Sequence, residues 1–119
     1  MKQIIIILSV LMSISIAHAD TKVSGKKIFK RCVSCHSFTK TKIGPPLGNI
    51  FDKKAGSVIG FKYSKPMKNS DIIWNDCTLD KFLKKPRKHM KGTKMMFSGL
   101  KKKSHREAVI KYLKENQIK

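Results

Sequence analysis

Cys32, Cys35 and His36 stand together as Cys-Val-Ser-Cys-His. Two thiols at this spacing can each add to a vinyl group on one edge of a porphyrin. The histidine beside them can then offer its imidazole to the iron. Cys-x-x-Cys-His is the attachment pattern for a c-type haem. Three other chemistries compete for the same residues. A redox-active dithiol expects a βαβ context, and the chain carries no strand pattern. A closed zinc site needs four ligands, which Cys32, Cys35, Cys77 and a histidine would supply only in an unfamiliar spacing. A disulfide closing so short a loop would stabilise little. The residues favour one covalently held haem c and its iron.

His36 fills one axial position of such an iron. The sixth position is open to a soft thioether, which raises the haem potential. Met67, Met90, Met95 and Met96 are the candidates, and their spacing does not choose among them, since a methionine is as often a filler of core gaps.

These residues must be positioned by a small frame. Met1-Lys2, the apolar run Ile4 to Ile16 and Ala17-His18-Ala19 have the build of a secretory signal peptide cleaved after Ala19; retention as a membrane anchor is the rival reading, and the run is short for a span. The expected domain is therefore 20–119, exported to the periplasm. A domain of that size has a marginal apolar core and gains from a bound cofactor. Ser24 to Arg31 reads as a helix running into Cys32, with Thr21 or Ser24 as its cap. Thr78 caps a second over Leu79 to Lys84, which must stop before Pro86. Ser104-His105-Arg106-Glu107 has the form of a capping box, and Ala108, Val109, Tyr112 and Leu113 behind it form one apolar stripe. The segments between are loops marked by Gly44-Pro45-Pro46, Gly48-Asn49, Gly56-Ser57 and Gly60, with a second long loop from Lys85 to Lys103. Long loops are rare in a compact domain; these make sense wrapped round a large ligand. The fold class is all-α, three or more helices with loops enclosing the haem.

The chain as a whole resembles class I cytochrome c, the mitochondrial and α-proteobacterial type. Gly25-x-x-Ile28-Phe29 before Cys-x-x-Cys-His, Gly44-Pro45-Pro46-Leu47, Gly60-Phe61-Lys62-Tyr63-Ser64 with Trp74, and Gly92-Thr93-Lys94-Met95 carry the resemblance. It implies a cytochrome c fold in which the Gly25 and Leu113 regions cross. It also implies that the Pro45 carbonyl accepts the His36 imidazole N–H, that Tyr63 and Trp74 donate to a buried haem propionate, and that Met95 is the axial ligand. Three positions depart from the family's pattern. Lys91 stands where proline is usual, Lys53 where many relatives carry arginine near the propionate, and Phe82 where many carry a tyrosine near the axial methionine. Phe82 cannot donate a hydrogen bond.

With His36 and Met95 both bound, the iron is closed to substrates. The expected function is then outer-sphere electron transfer and not catalysis. The alternative is a haem peroxidase or gas sensor with a labile sixth ligand. There are 27 Lys and Arg against 7 Asp and Glu, a net charge of +20. Such a charge steers association toward acidic surfaces. Lys26, Lys27, Lys30, Lys40, Lys42, Lys91 and Lys94 lie in segments expected to surround the haem edge. The resemblance implies quinol–cytochrome c reductase and cytochrome c oxidase as partners of a monomer. An anionic membrane surface is a secondary partner. Nucleic acid is not expected, because the leader exports the chain and no aromatic–basic recognition motif is present. Cys77 is left over, with an unreactive structural role expected.

Overall fold

The computed structural model describes residues 22–119. The expected leader and Thr21 lie outside those residues. Five helices follow in order: α1 Gly25–Phe29, α2 Lys65–Lys68, α3 Asp76–Lys84, α4 Pro86–His89 and α5 Lys103–Glu115. The rest of the described residues is loop, with an isolated antiparallel bridge between Lys54 and Ile73. The all-α expectation holds. No helix among the described residues is long and apolar enough to cross a membrane.

The frame is the packing of α1 on α5. A side chain at Gly25 would run into the Ala108 carbonyl and come within 2.7 Å of Tyr112 Cβ, so glycine is what lets the two backbones meet. Phe29 on α1 stacks on Phe38, with ring centroids 4.9 Å apart, and both rings lean on Tyr112 of α5. Ser24 caps α1 as expected, its side chain accepting from the Lys27 N–H. The helix is shorter than expected, because beyond Phe29 the chain tightens into successive turns. Arg31 N–H bonds to the Ile28 carbonyl and Cys32 N–H to that of Phe29, and Cys35 and His36 N–H both reach Cys32 O.

The starts of the other two expected helices need correction. Thr78 is not the cap of α3. Asn75 is, and its side chain accepts from Thr78 N–H at 2.9 Å while the Thr78 hydroxyl accepts from Asn75 N–H at 2.9 Å. Asparagine outranks threonine as a cap, and Asp76 then falls in the first turn, where its charge suits the helix dipole. Ser104 is likewise inside α5, whose N-cap is Lys102 without a side-chain bond. Here a tertiary tie overrides the local signal. Buried Arg106 donates to Asp80 at 2.7 Å and to the Leu100 and Lys101 carbonyls at 2.9 Å each. That gathers residues 100–106 into a tight turn and carries Ser104 into the helix. Glu107 pairs instead with Lys103.

Both expected loops contain a helical turn. Ser64 caps α2 with Pro66 in its first turn, and Pro86 opens α4, a position where the missing N–H costs nothing. Lys85, at φ −153°, breaks α3 from α4, as a residue before proline should. The C-terminus is pinned by Gln117. Its amide donates to the Leu47 and Leu113 carbonyls and its oxygen accepts from Ile50 and Phe51 N–H. The core joins Ile28 and Phe29 to Trp74, Leu79, Phe82, Leu100, Val109 and Leu113.

Candidate functional site

One cavity brings together the eight residues that the motif and the resemblance assign to the haem and its iron. Cys32, Cys35 and His36 enter it from the turns after α1, Pro45 and Leu47 from the next loop, and Tyr63, Ser64 and Met67 from the approach to α2. Trp74, Leu79 and Phe82 add to it, then Met95, Phe97 and Leu100, with Val109 and Leu113 from α5. Most of that lining is apolar.

His36 Nδ1 lies 2.8 Å from the Pro45 carbonyl. A carbonyl only accepts, so Nδ1 carries the proton and Nε2 keeps its lone pair. The ring lies against Gly44, where a Cβ would come within 2.7 Å of Nδ1. Burial pushes the imidazole below the usual histidine range; the Pro45 bond opposes this and the nearby Lys42 charge adds to it. The result is a neutral imidazole in one tautomer, the form that ligates metals. Cys32 and Cys35 form no disulfide. Burial raises the Cys32 thiol, with Arg31 lowering it and Cys35 raising it.

Of the four candidate methionines, Met67, Met95 and Met96 line the cavity and Met90 does not. Met90 is buried in the core, and Met96 is 79 % exposed. Met95 is half-buried, and its N–H is held by the Thr93 hydroxyl at 3.3 Å. The Tyr63 hydroxyl accepts from Val58 N–H at 3.2 Å, which leaves its own proton to donate. Burial raises its pKa, against the lowering effect of the Val58 bond. Trp74 and Phe82 are both buried, ring against ring at 5.2 Å.

Ser64 was given no role by sequence reasoning. It is buried, lines the cavity and accepts from Met67 N–H; its place before Lys65-Pro66, as a helix cap, was the available signal. Arg31 was also passed over. Its guanidinium lies 5.2 Å from the centroid of Phe97, and both line the cavity. The seven lysines expected at the edge are all exposed, and of these Lys94 lines the cavity. Lys53 is exposed and does not line it. Cys77 lies elsewhere, exposed in a surface cleft with Phe51, Asp76 and Lys114.

The donor set fits a haem iron: a neutral imidazole in a fixed tautomer and thioether sulfur, with two free thiols at one rim of a mainly apolar slot. Fold and site together define a small all-α haem protein. The cytochrome c family model matches residues 23–117. The chain is 47 % identical over 95 residues to cytochrome c type-1 of Ascaris suum, covering 77 % of this chain and 85 % of that one. It is 42 % identical over 101 residues to cytochrome c2 of Afifella marina, covering 80 % and 82 %. The solved structure of cytochrome cH from Methylobacterium extorquens superposes with a TM-score of 0.74 at 36 % identity, covering 76 % of this chain and 94 % of that one. This chain belongs to the cytochrome c family. It binds one covalent haem c with its iron and carries electrons. The relatives do not support the peroxidase or gas-sensor alternative.

Proposed function

We propose that the haem is held by thioether bonds to Cys32 and Cys35, with His36 and Met95 as its axial ligands. When bound, it supplies a site that takes up and gives back one electron. The chain's own residues make that exchange easy. Pro45 keeps the imidazole in one tautomer, Tyr63 and Trp74 offer hydrogen-bond donors to a propionate, and Phe82 and Leu100 exclude water. With both axial positions filled the protein is a carrier and not an enzyme. The observation that carries this reading is that Cys32, Cys35, His36 and Met95 all face one apolar cavity.

Its electrons pass from a quinol–cytochrome c reductase to a cytochrome c oxidase in the periplasm, reached through the leader 1–19. Acidic partners are drawn to the lysine-rich face of Lys26, Lys27, Lys30, Lys40, Lys42, Lys91 and Lys94, which also gives a weaker attraction to anionic membrane surfaces. The carrier works as a monomer.

The test is the optical spectrum of the protein matured with haem c. The oxidised form should show the weak near-infrared band of iron–methionine bonding, and Met95→Ala should abolish it. A covalent haem without that band in the parent protein would overturn the Met95 assignment.

A further inference from the structure

Lys42 is the haem-edge lysine whose charge is held on the attachment turn itself. Its ammonium folds back to donate to the carbonyl of Val33, which lies between Cys32 and Cys35. The backbone closes the same turn: Lys42 N–H bonds to Gly44 O at 3.0 Å, and Gly44 N–H to Cys35 O at 2.8 Å. Lys40, two residues earlier, is held through its backbone N–H to Ser37, and its side chain makes no hydrogen bond or ion pair among the described residues.

The Lys42 charge is also uncompensated. Residues 22–51 contain seven Lys and Arg and no Asp or Glu. None of the ion pairs among the described residues includes Lys42. Val33 lies between the two cysteines of the attachment motif, so the ammonium sits on the turn that would carry the haem. A fixed cation close to a redox centre favours the state with one more electron, by Coulomb attraction that weakens with solvent screening.

We propose that Lys42 is a positioning residue for electron uptake: its ammonium, anchored on the Cys32–Cys35 turn, raises the reduction potential of the haem. The inference rests on the His36 ligation proposed above. Reduction here adds one electron, with no bond or proton transferred, so the effect is purely one of charge.

The experiment is a potentiometric titration of the haem-loaded protein at low ionic strength, with Lys42→Gln, Lys42→Arg and Lys40→Gln. The near-infrared band is recorded first for each. Lys42→Gln should make reduction about threefold less favourable, about 28 mV at 59 mV per tenfold for one electron. Lys42→Arg should stay near the parent value, and Lys40→Gln should shift by less than half as much. Equal shifts for Lys40→Gln and Lys42→Gln, or no shift in either, with all bands intact, overturn the proposal and leave the ligation reading standing. A band lost only in Lys42→Gln makes Lys42 a structural tie of the loop and overturns it too. A band absent from the parent protein removes the ligation on which it rests.

Discussion

His36 and Gly44 are in mutual contact: the imidazole lies so close to the Gly44 Cα that a Cβ there would sit 2.7 Å from Nδ1. The same loop supplies the Pro45 carbonyl that holds that nitrogen at 2.8 Å. Gly44→Ala must therefore move either the ring or the loop. Overpacking of this kind costs about 1–3 kcal/mol. We expect a lower denaturation midpoint for the haem-loaded variant and a shifted visible spectrum. An unchanged spectrum with parent stability would mean that the ring has room the geometry denies it.

The buried Arg106 predicts a stability effect far from the haem. It joins α5 to Asp80 of α3 and to two carbonyls of the chain between them. The Arg106 side chain is 7 % exposed and that of Asp80 35 %. Breaking a fully buried pair costs about 3–5 kcal/mol, and the exposure of Asp80 moves the expectation for Arg106→Met toward about 3 kcal/mol. Arg106→Lys, a point charge in place of a planar fork, should lose about 1 kcal/mol per missing bond. Denaturant unfolding of both variants checks the order; a lysine variant less stable than the methionine one would contradict it.

What could be read from the sequence, and what could not, follows from the range of the contacts. Cys32, Cys35 and His36 are local chemistry and stand in the motif itself. The apolar stripe of α5 repeats often enough to announce a helix. α2 and α4 are one turn each, too short for any period to show. At Thr78 and Ser104 a capping signal was present but lost, to Asn75 in one case and to the Arg106–Asp80 tie in the other. Spacing left the choice among four methionines open, because burial of Met90 and exposure of Met96 depend on how the 90–97 loop lies on the finished fold.

Tyr63 predicts a pH dependence. Burial raises the phenol above its ordinary pKa of 10.0, so its contribution to stability is fully present below pH 10. It is lost as the pH rises from there through the folded value, because the unfolded chain ionises first. Tyr63→Phe cannot ionise. It also gives up the acceptor for Val58 N–H, a loss of about 1 kcal/mol at neutral pH. The parent protein should be the more stable at pH 8, and the gap should narrow steadily above pH 10. Denaturant midpoints of the pair at several pH values test this. A gap that widens above pH 10 would contradict the sign of the shift.

Partner association should depend on salt and on which lysine is removed. Five of the six acids in residues 22–119 are engaged in ion pairs with Lys or Arg, leaving most of the cations to act outward. Exposed charges are screened beyond about 8 Å at physiological ionic strength, so the steering term falls as salt is added. Rim charges of this kind act mainly on the association rate. Lys94 lies at the cavity edge, its ammonium 3.3 Å from the Lys62 carbonyl, whereas Lys114 is paired with Asp76 at 2.8 Å in the cleft beside Cys77. Lys94→Gln should slow association with an acidic redox partner several-fold at low salt and leave it near the parent rate in 0.5 M salt. Lys114→Gln should change it little at either. Stopped-flow electron transfer across a salt series measures both, and equal slowing by the two variants would mean that net charge alone, and not the edge of the cavity, directs the encounter.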